Sequence, residues 1–369
     1  MSEGKNNGNS IISKGLVEII VLLVITIGTA LYFGYSILKG QSNNDSSSAN
    51  FSSSNENNES PRSTPTSFPF QEITIPYLRQ KEFKSTLENL EKVSENGQFT
   101  SFTTSYYSDG YRVYGLLTVP KGDTPEGGWP AVIFVHGYIP PQNYKTLQNY
   151  NSFIDPIARN GFVVFKIDLR GHDRSEGIAH GAYYSEVYIV DALNAYSALQ
   201  KAEFVNPEKI GLWGHSMAGN VVFRSMVAKK DIPAVAIWAG AVYTYEDFQS
   251  FRISDASYQP PPQESERRKR REELFKTYGE FNPESEFWRQ IVPTNYLDGV
   301  TGAILVNHAM DDNVVDIGYS RNLMKILDVT NIDHDLKEYP FGGHNLTGST
   351  FTQAIGNTVN FFKTNLKTP

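Results

Sequence analysis

The segment of this chain best suited to chemistry is Gly214-His215-Ser216-Met217-Ala218-Gly219. It follows an apolar run, KIGLW, and precedes NVVFRSMVA, whose apolar spacing predicts a helix. A serine on a strained strand-to-helix turn has its hydroxyl lifted clear of the sheet, ready to attack a carbonyl carbon. Backbones crowd at such a turn, so small residues are needed two positions before and after the serine. Gly214 meets that demand, and Ala218 adds one methyl where glycine is commoner.

A serine nucleophile needs a base and a carboxylate to orient it, in the chain order serine, acid, histidine for this kind of turn. His344 alone among seven histidines sits in a glycine-flanked loop, Phe341-Gly342-Gly343-His344, past the last apolar strand. It is the expected general base. The acid is expected in Asn307-His308-Ala309-Met310-Asp311-Asp312, after the preceding strand, which offers both Asp311 and Asp312. Both loops lie at C-terminal strand ends, where open α/β sheets build their sites. The tetrahedral oxyanion needs two N–H donors, one of them the N–H after the nucleophile. Met217 supplies it, and the Tyr138 N–H in Val135-His136-Gly137-Tyr138 supplies the other.

These loops need a sheet to hold them. Extended runs are expected at 99–107, 111–119, 131–135, 162–167, 209–213, 234–238, 303–306 and 335–339. AVIFV and FVVF carry no polar residue, as expected of parallel strands covered on both faces. Helical spacing separates the runs, as in Ile189, Leu193 and Tyr196, or Phe351, Ile355, Val359 and Phe362. Alternating β and α predicts an α/β fold with eight mostly parallel strands, helices on both faces, and the first two runs as an antiparallel hairpin. Residues 241–293 interrupt the alternation with a proline-rich turn and a charged helix, and are expected to cap one edge. Their cluster Arg267-Arg268-Lys269-Arg270-Arg271, flanked by glutamates, reads as a solvated helix face of mixed charge.

Together, GLWGHSMAGN, VIFVHGY, FKIDLRGHDRSEG, NHAMDDNVVDIGYS and GGHN resemble the catalytic domain of the prolyl oligopeptidase family, within the α/β-hydrolase superfamily. The resemblance runs from about Gly97 to the C-terminus. That family's third motif reads H-G-x-x-D-x-x-V with a serine twelve residues after the histidine. His308, Asp312, Val315 and Ser320 fit this register without a gap, although Ala309 replaces the glycine. The resemblance therefore implies Asp312 as the acid, with Asp311 as runner-up if the strand end shifts by one residue. It also implies a serine peptidase acting on short peptides. A carboxylesterase or acyl hydrolase of the same fold is the alternative, and an inactive binding module a further one. The glutamates with which dipeptidyl members hold a substrate N-terminus have no counterpart here, and there is no room for a β-propeller between residue 70 and the first hairpin.

The rest of the chain bears on location and partners. Ile19 to Leu38 runs twenty residues without a charge, about 30 Å as a helix, enough to cross a bilayer. This predicts a single-pass anchor, with a cleaved signal peptide as the alternative. Lys5 and Lys14 before it and Lys39 after it place the N-terminus inside and the catalytic domain outside the cytoplasm. Residues 1–18 form a short leading segment and residues 41–69 a Ser/Asn-rich linker. The hydrolase domain is expected over 70–369. A net charge of −7 argues against nucleic acid as a partner. With no cysteine there is no disulfide, thiolate metal site or cysteine nucleophile. His172 and His180 lack a third ligand, so neither metal nor cofactor is expected, and the substrate is a peptide or ester.

Overall fold

Ala131–Val135 and Val163–Ile167 are buried at every position, as strands flanked by helices on both faces must be. They form the middle of one sheet in the computed structural model, which describes residues 67–368. In chain order the strands are β1 Glu91–Glu95, β2 Phe99–Ser108, β3 Tyr111–Pro120, β4 Trp129–Val135 and β5 Val163–Ile167. They continue with β6 Val205–His215, β7 Ala234–Trp238, β8 Ala303–Ala309 and β9 His334–Tyr339. The sheet order is β1-β2-β3-β5-β4-β6-β7-β8-β9. Strands β4 to β9 pair in parallel, whereas β1, β2 and β3 are antiparallel and join through β3 to β5.

Two apolar layers flank the sheet. One holds the helices Val187–Gln200 and Met217–Lys229, buried along almost their whole length. The other holds Asn151–Arg159 and Ser349–Asn365, with Trp213 and Trp238 beneath them at no exposure. The insertion between β7 and β8 carries the helices Glu266–Tyr278 and Glu286–Ile291. It builds a separate aromatic cluster from Tyr245, Leu274, Phe287 and Trp288, against which Ile73 and Phe68 pack. Its basic run is partly paired within the molecule: Arg270 reaches Glu72 at 2.7 Å and Glu186 at 2.9 Å, Lys269 reaches Glu264 at 3.1 Å, and Arg268 reaches Glu272 at 2.8 Å.

Two expectations are corrected. The sheet has nine strands rather than eight, and it is mixed, with three antiparallel strands at one edge beside six parallel ones. The added strand, EKVSE in β1, is exposed throughout, so no apolar alternation marks it. The expected transmembrane helix is not part of this fold: among the described residues no helix is long and apolar enough to cross a membrane. Residues 19–38, on which it rested, lie outside the described residues, as does the linker up to residue 66. The single-pass anchor, the membrane partner and the extracytoplasmic location are therefore not carried forward.

Candidate active site

Strand β6 ends in the crowded turn that its glycines anticipate. Ser216 has φ 55° and ψ −121°, a conformation that L-residues hold only when their surroundings impose it. Here the Ser216 N–H donates to the Trp238 carbonyl at 2.9 Å, and the Gly219 N–H donates to the Ser216 carbonyl at 2.9 Å. A Cβ on Gly214 would stand 2.6 Å from the Ala218 carbonyl oxygen. The helix that follows crosses the chain after β7 so closely that a Cβ on Gly219 would lie 2.7 Å from the Gly240 Cα. The glycine required by that crossing is therefore Gly219, and the Ala218 methyl is accommodated in full burial.

Parallel pairing of β8 with β9 brings the next two loops together. The Asp312 side chain is fully buried, and its Oδ2 accepts from His344 Nδ1 at 2.8 Å. Its Oδ1 accepts the N–H groups of Val314 and Val315 at 2.8 and 3.0 Å. Burial alone would raise the Asp312 pKa. Hydrogen bonds from His308 and His344 outweigh it and hold the carboxyl well below the usual range, so it is ionised. Because His344 Nδ1 donates to this carboxylate, its Nε2 presents a lone pair. The His344 side chain retains 14% exposure. Asp311 faces elsewhere, accepting from the Gly343 N–H at 2.8 Å and the Gly342 N–H at 3.3 Å.

The oxyanion candidates sit on the neighbouring strand ends. Tyr138 follows β4, which pairs with β6, and its N–H has no hydrogen-bond partner among the described residues. Met217 opens a helix, a position whose N–H has no partner within the helix. The Tyr138 phenol oxygen instead accepts the Gln259 N–H at 3.0 Å, and its ring lies 5.4 Å from that of Tyr258. The proline-rich part of the insertion thus reaches the site through Tyr138. Ser216 Oγ makes no hydrogen bond among the described residues, and contacts of this kind commonly tighten only once substrate is bound.

The structure also gives the third motif a physical reason. His308 Nδ1 accepts from Ser320 Oγ at 2.7 Å, while its Nε2–H faces Val315 O at 3.0 Å and Asp312 Oδ2 at 3.2 Å. The residues four, seven and twelve positions after His308 are its three partners. Sequence reasoning used His308 only to set the register and did not see it as the second donor to Asp312. It also gave Asp311 no separate task, because the N–H groups it receives lie on another loop. Among the described residues no group of three or more His, Asp or Glu is arranged to hold a metal.

Comparison with known proteins bears on the family and the fold. The sequence model of the prolyl oligopeptidase family matches residues 148–368, more than half of the chain. Human dipeptidyl peptidase 8 is 25% identical over 182 residues, 46% of this chain and 19% of that protein, so the match spans under a fifth of the relative. Among solved structures, acetyl xylan esterase 1 from Thermoanaerobacterium sp. JW/SL YS485 is similar with a TM-score of 0.52 at 16% identity, over 81% of this chain and 93% of that one. An acylaminoacyl peptidase is similar with a TM-score of 0.54 at 20% identity, over 74% and 42% respectively. Such identities speak for the fold. A serine on a strained turn, an ionised acid against an imidazole and a family match over most of the sheet lead to one conclusion: this chain belongs to the prolyl oligopeptidase family and is a serine hydrolase.

Proposed function

We propose that the domain hydrolyses short peptide amides or esters by acyl transfer through Ser216, His344 and Asp312. The observation that carries this reading is the 2.8 Å contact of His344 Nδ1 with a buried, ionised Asp312, on the loop beside the Ser216 turn. Ser216 Oγ attacks the carbonyl carbon while His344 Nε2 takes its proton, and Asp312 stabilises the resulting imidazolium. The carbonyl oxygen becomes an oxyanion that accepts from the N–H groups of Tyr138 and Met217. His344 then protonates the departing amine or alcohol, leaving an acyl-Ser216 ester. Water, deprotonated by His344, attacks that ester, and the acid product leaves as Ser216 recovers its proton.

The amide reading is supported by the names of the relatives, which include dipeptidyl peptidase 8. An ester reading is favoured by a different observation: acetyl xylan esterase 1 is matched over 93% of its length, whereas the acylaminoacyl peptidase is matched over 42%. A fluorophosphonate probe tests the shared mechanism. It should label the wild type and fail on S216A, and equal labelling of both would refute the assignment of the nucleophile. A panel of peptidyl amides and acyl esters then separates the two substrate classes. Ester turnover with no amide cleavage at high enzyme concentration would reject the amide reading.

A further inference from the structure

His215 immediately precedes Ser216, and its side chain enters a hydrogen-bonded line. The Gly137 N–H donates to the Tyr150 phenol oxygen at 3.0 Å. The Tyr150 O–H reaches His215 Nδ1 at 2.8 Å, and His215 Nε2 lies 2.9 Å from the His344 carbonyl oxygen. A carbonyl can only accept, so Nε2 carries the proton and Nδ1 accepts from the phenol. Every donor in the line then meets an acceptor, with the Tyr150 hydroxyl accepting from Gly137 and donating to His215, and the line begins one residue before Tyr138 and ends on the backbone of His344.

We propose that Tyr150 and His215 are positioning residues that tie the oxyanion loop at Gly137 to the backbone of the catalytic histidine. The inference rests on the triad reading above. Two further observations support it. Tyr150 adopts φ 62°, a left-handed conformation uncommon for a bulky residue, at the start of the helix Asn151–Arg159. Position 137 must be glycine for the line to close, since a Cβ there would stand 2.7 Å from the Tyr150 oxygen and 3.1 Å from His215 Nδ1.

The direction of the line also suits the reaction. His344 becomes cationic during acyl transfer, and the His215 ring centroid is only 4.7 Å from that of His344. The groups facing His215 are His344, Asp312, His308 and Tyr150. Burial, with His344 adding to it, keeps His215 neutral by lowering its pKa to about 3. A neutral ring fixes the His344 backbone without repelling the imidazolium. Base and oxyanion donor thereby keep a set separation, which matters because a displacement of about 1 Å can cost roughly a hundredfold in rate.

The test uses the full chain, with p-nitrophenyl acetate turnover and fluorophosphonate labelling as readouts. H215L and Y150F should each lower kcat by about ten- to a hundredfold with KM changed less than about threefold. Gln places its amide nitrogen near the Nε2 position and Asn places its own near Nδ1. H215Q should therefore regain about tenfold over H215N, a difference that loss of packing would not produce. The double variant Y150F/H215L should be no slower than the slower single variant, because the two act as one unit. The relay is overturned if Y150F and H215L keep kcat within about twofold of wild type while S216A is inactive. It is also overturned if Gln and Asn behave alike, or if the two losses multiply. Turnover by S216A would remove the triad reading itself. Should H215L fail to fold, Y150F, which deletes a single oxygen, carries the test.

Discussion

The Asp311 carboxylate accepts a 2.8 Å hydrogen bond from the Gly343 N–H, so the residue before Asp312 holds the loop that carries His344. Gly343 has φ 59° and precedes His344 directly. The two adjacent acids thus divide the work, one on the imidazole and one on the backbone behind it. D312N is expected to lower kcat by about 10⁴, since an amide can present its N–H to His344 Nδ1 and favour the wrong tautomer. D311N keeps one acceptor oxygen and should lose less than about tenfold, while D311A should lose more than D311N. Steady-state kinetics on the same ester checks the order. A larger loss in D311N than in D312N would exchange the two roles.

His308 gives a second prediction. Its Nε2–H and the His344 Nδ1–H both face Asp312 Oδ2, and its Nδ1 takes the Ser320 hydroxyl. H308L leaves the Ser320 hydroxyl and the Val315 carbonyl buried without their partner, at a cost of about 1–3 kcal/mol for each group left unsatisfied. We expect a lower Tm together with an Asp312 pKa raised from its depressed value, read by carboxyl NMR as a titration limb moved to higher pH. S320A should lower Tm less and leave that limb in place. An unchanged limb in H308L would mean that His308 supports the fold without acting on the carboxylate.

The crossing at Gly219 sets a third. Because a Cβ there meets the Gly240 Cα at 2.7 Å, G219V must push the helix off the sheet. Overpacking of this kind costs about 1–3 kcal/mol or more. Fluorophosphonate labelling should fall along with Tm, since the same helix opens with Met217. G356A, where an added Cβ in the exposed middle of a helix meets nothing within 4 Å, is the control: labelling should not fall and Tm should hold or rise slightly.

Acid stability follows from the buried imidazoles. Burial is the leading cause that lowers His136 and His215 to about 3 and His172 and His180 to about 4. In the unfolded chain these groups take up protons near pH 6.5. Their stabilising contribution is therefore complete above about pH 6.5 and is lost as pH falls toward 4, at up to about 1.4 kcal/mol per pH unit for each proton. Asp168 opposes them: burial raises its pKa to about 6, so the folded state gains a proton there first as pH drops. Burial also raises Asp155 and Asp247, but the four imidazole shifts are the larger ones and predict a Tm that falls between pH 6.5 and 4. A Tm that stays flat over that range would show that these rings are protonated in the native state.

Much of this arrangement could be read from the chain. The runs AVIFV and AVAIW became buried strands because an all-apolar segment of that length has no other place in a covered sheet. The loops after β6, β8 and β9 converge because parallel neighbours end on the same side, which brings Asp312 to His344 across 32 positions. What remained hidden has physical causes. β1 is polar and exposed, held by backbone pairing to β2, so composition carries no trace of it. The line from Gly137 through Tyr150 to His215 joins residues up to 65 positions apart, and nothing in the type of Tyr150 announces its partner. The Tyr138 phenol was free to point anywhere until the insertion placed Gln259 above it.

Strand order gives the domain an uneven mechanical life. Ser216 hangs from β6, which has β4 on one side and β7 on the other, whereas His344 follows β9, which among the described residues pairs with β8 alone. Local opening begins where backbone bonds are fewest and burial is least. β9 is only partly covered along its length, while the second half of β6 is buried throughout. Under rising denaturant the outer strand should peel first, withdrawing the imidazole while the serine turn stays folded. Catalysis would then be silenced at concentrations that leave tryptophan fluorescence native, and dilution would restore it as fast as one strand can dock again. Amide exchange would register the same asymmetry as rapid labelling over 334–339 against slow labelling over 210–215. The catalytic pair can thus part company by a motion that never reaches the core.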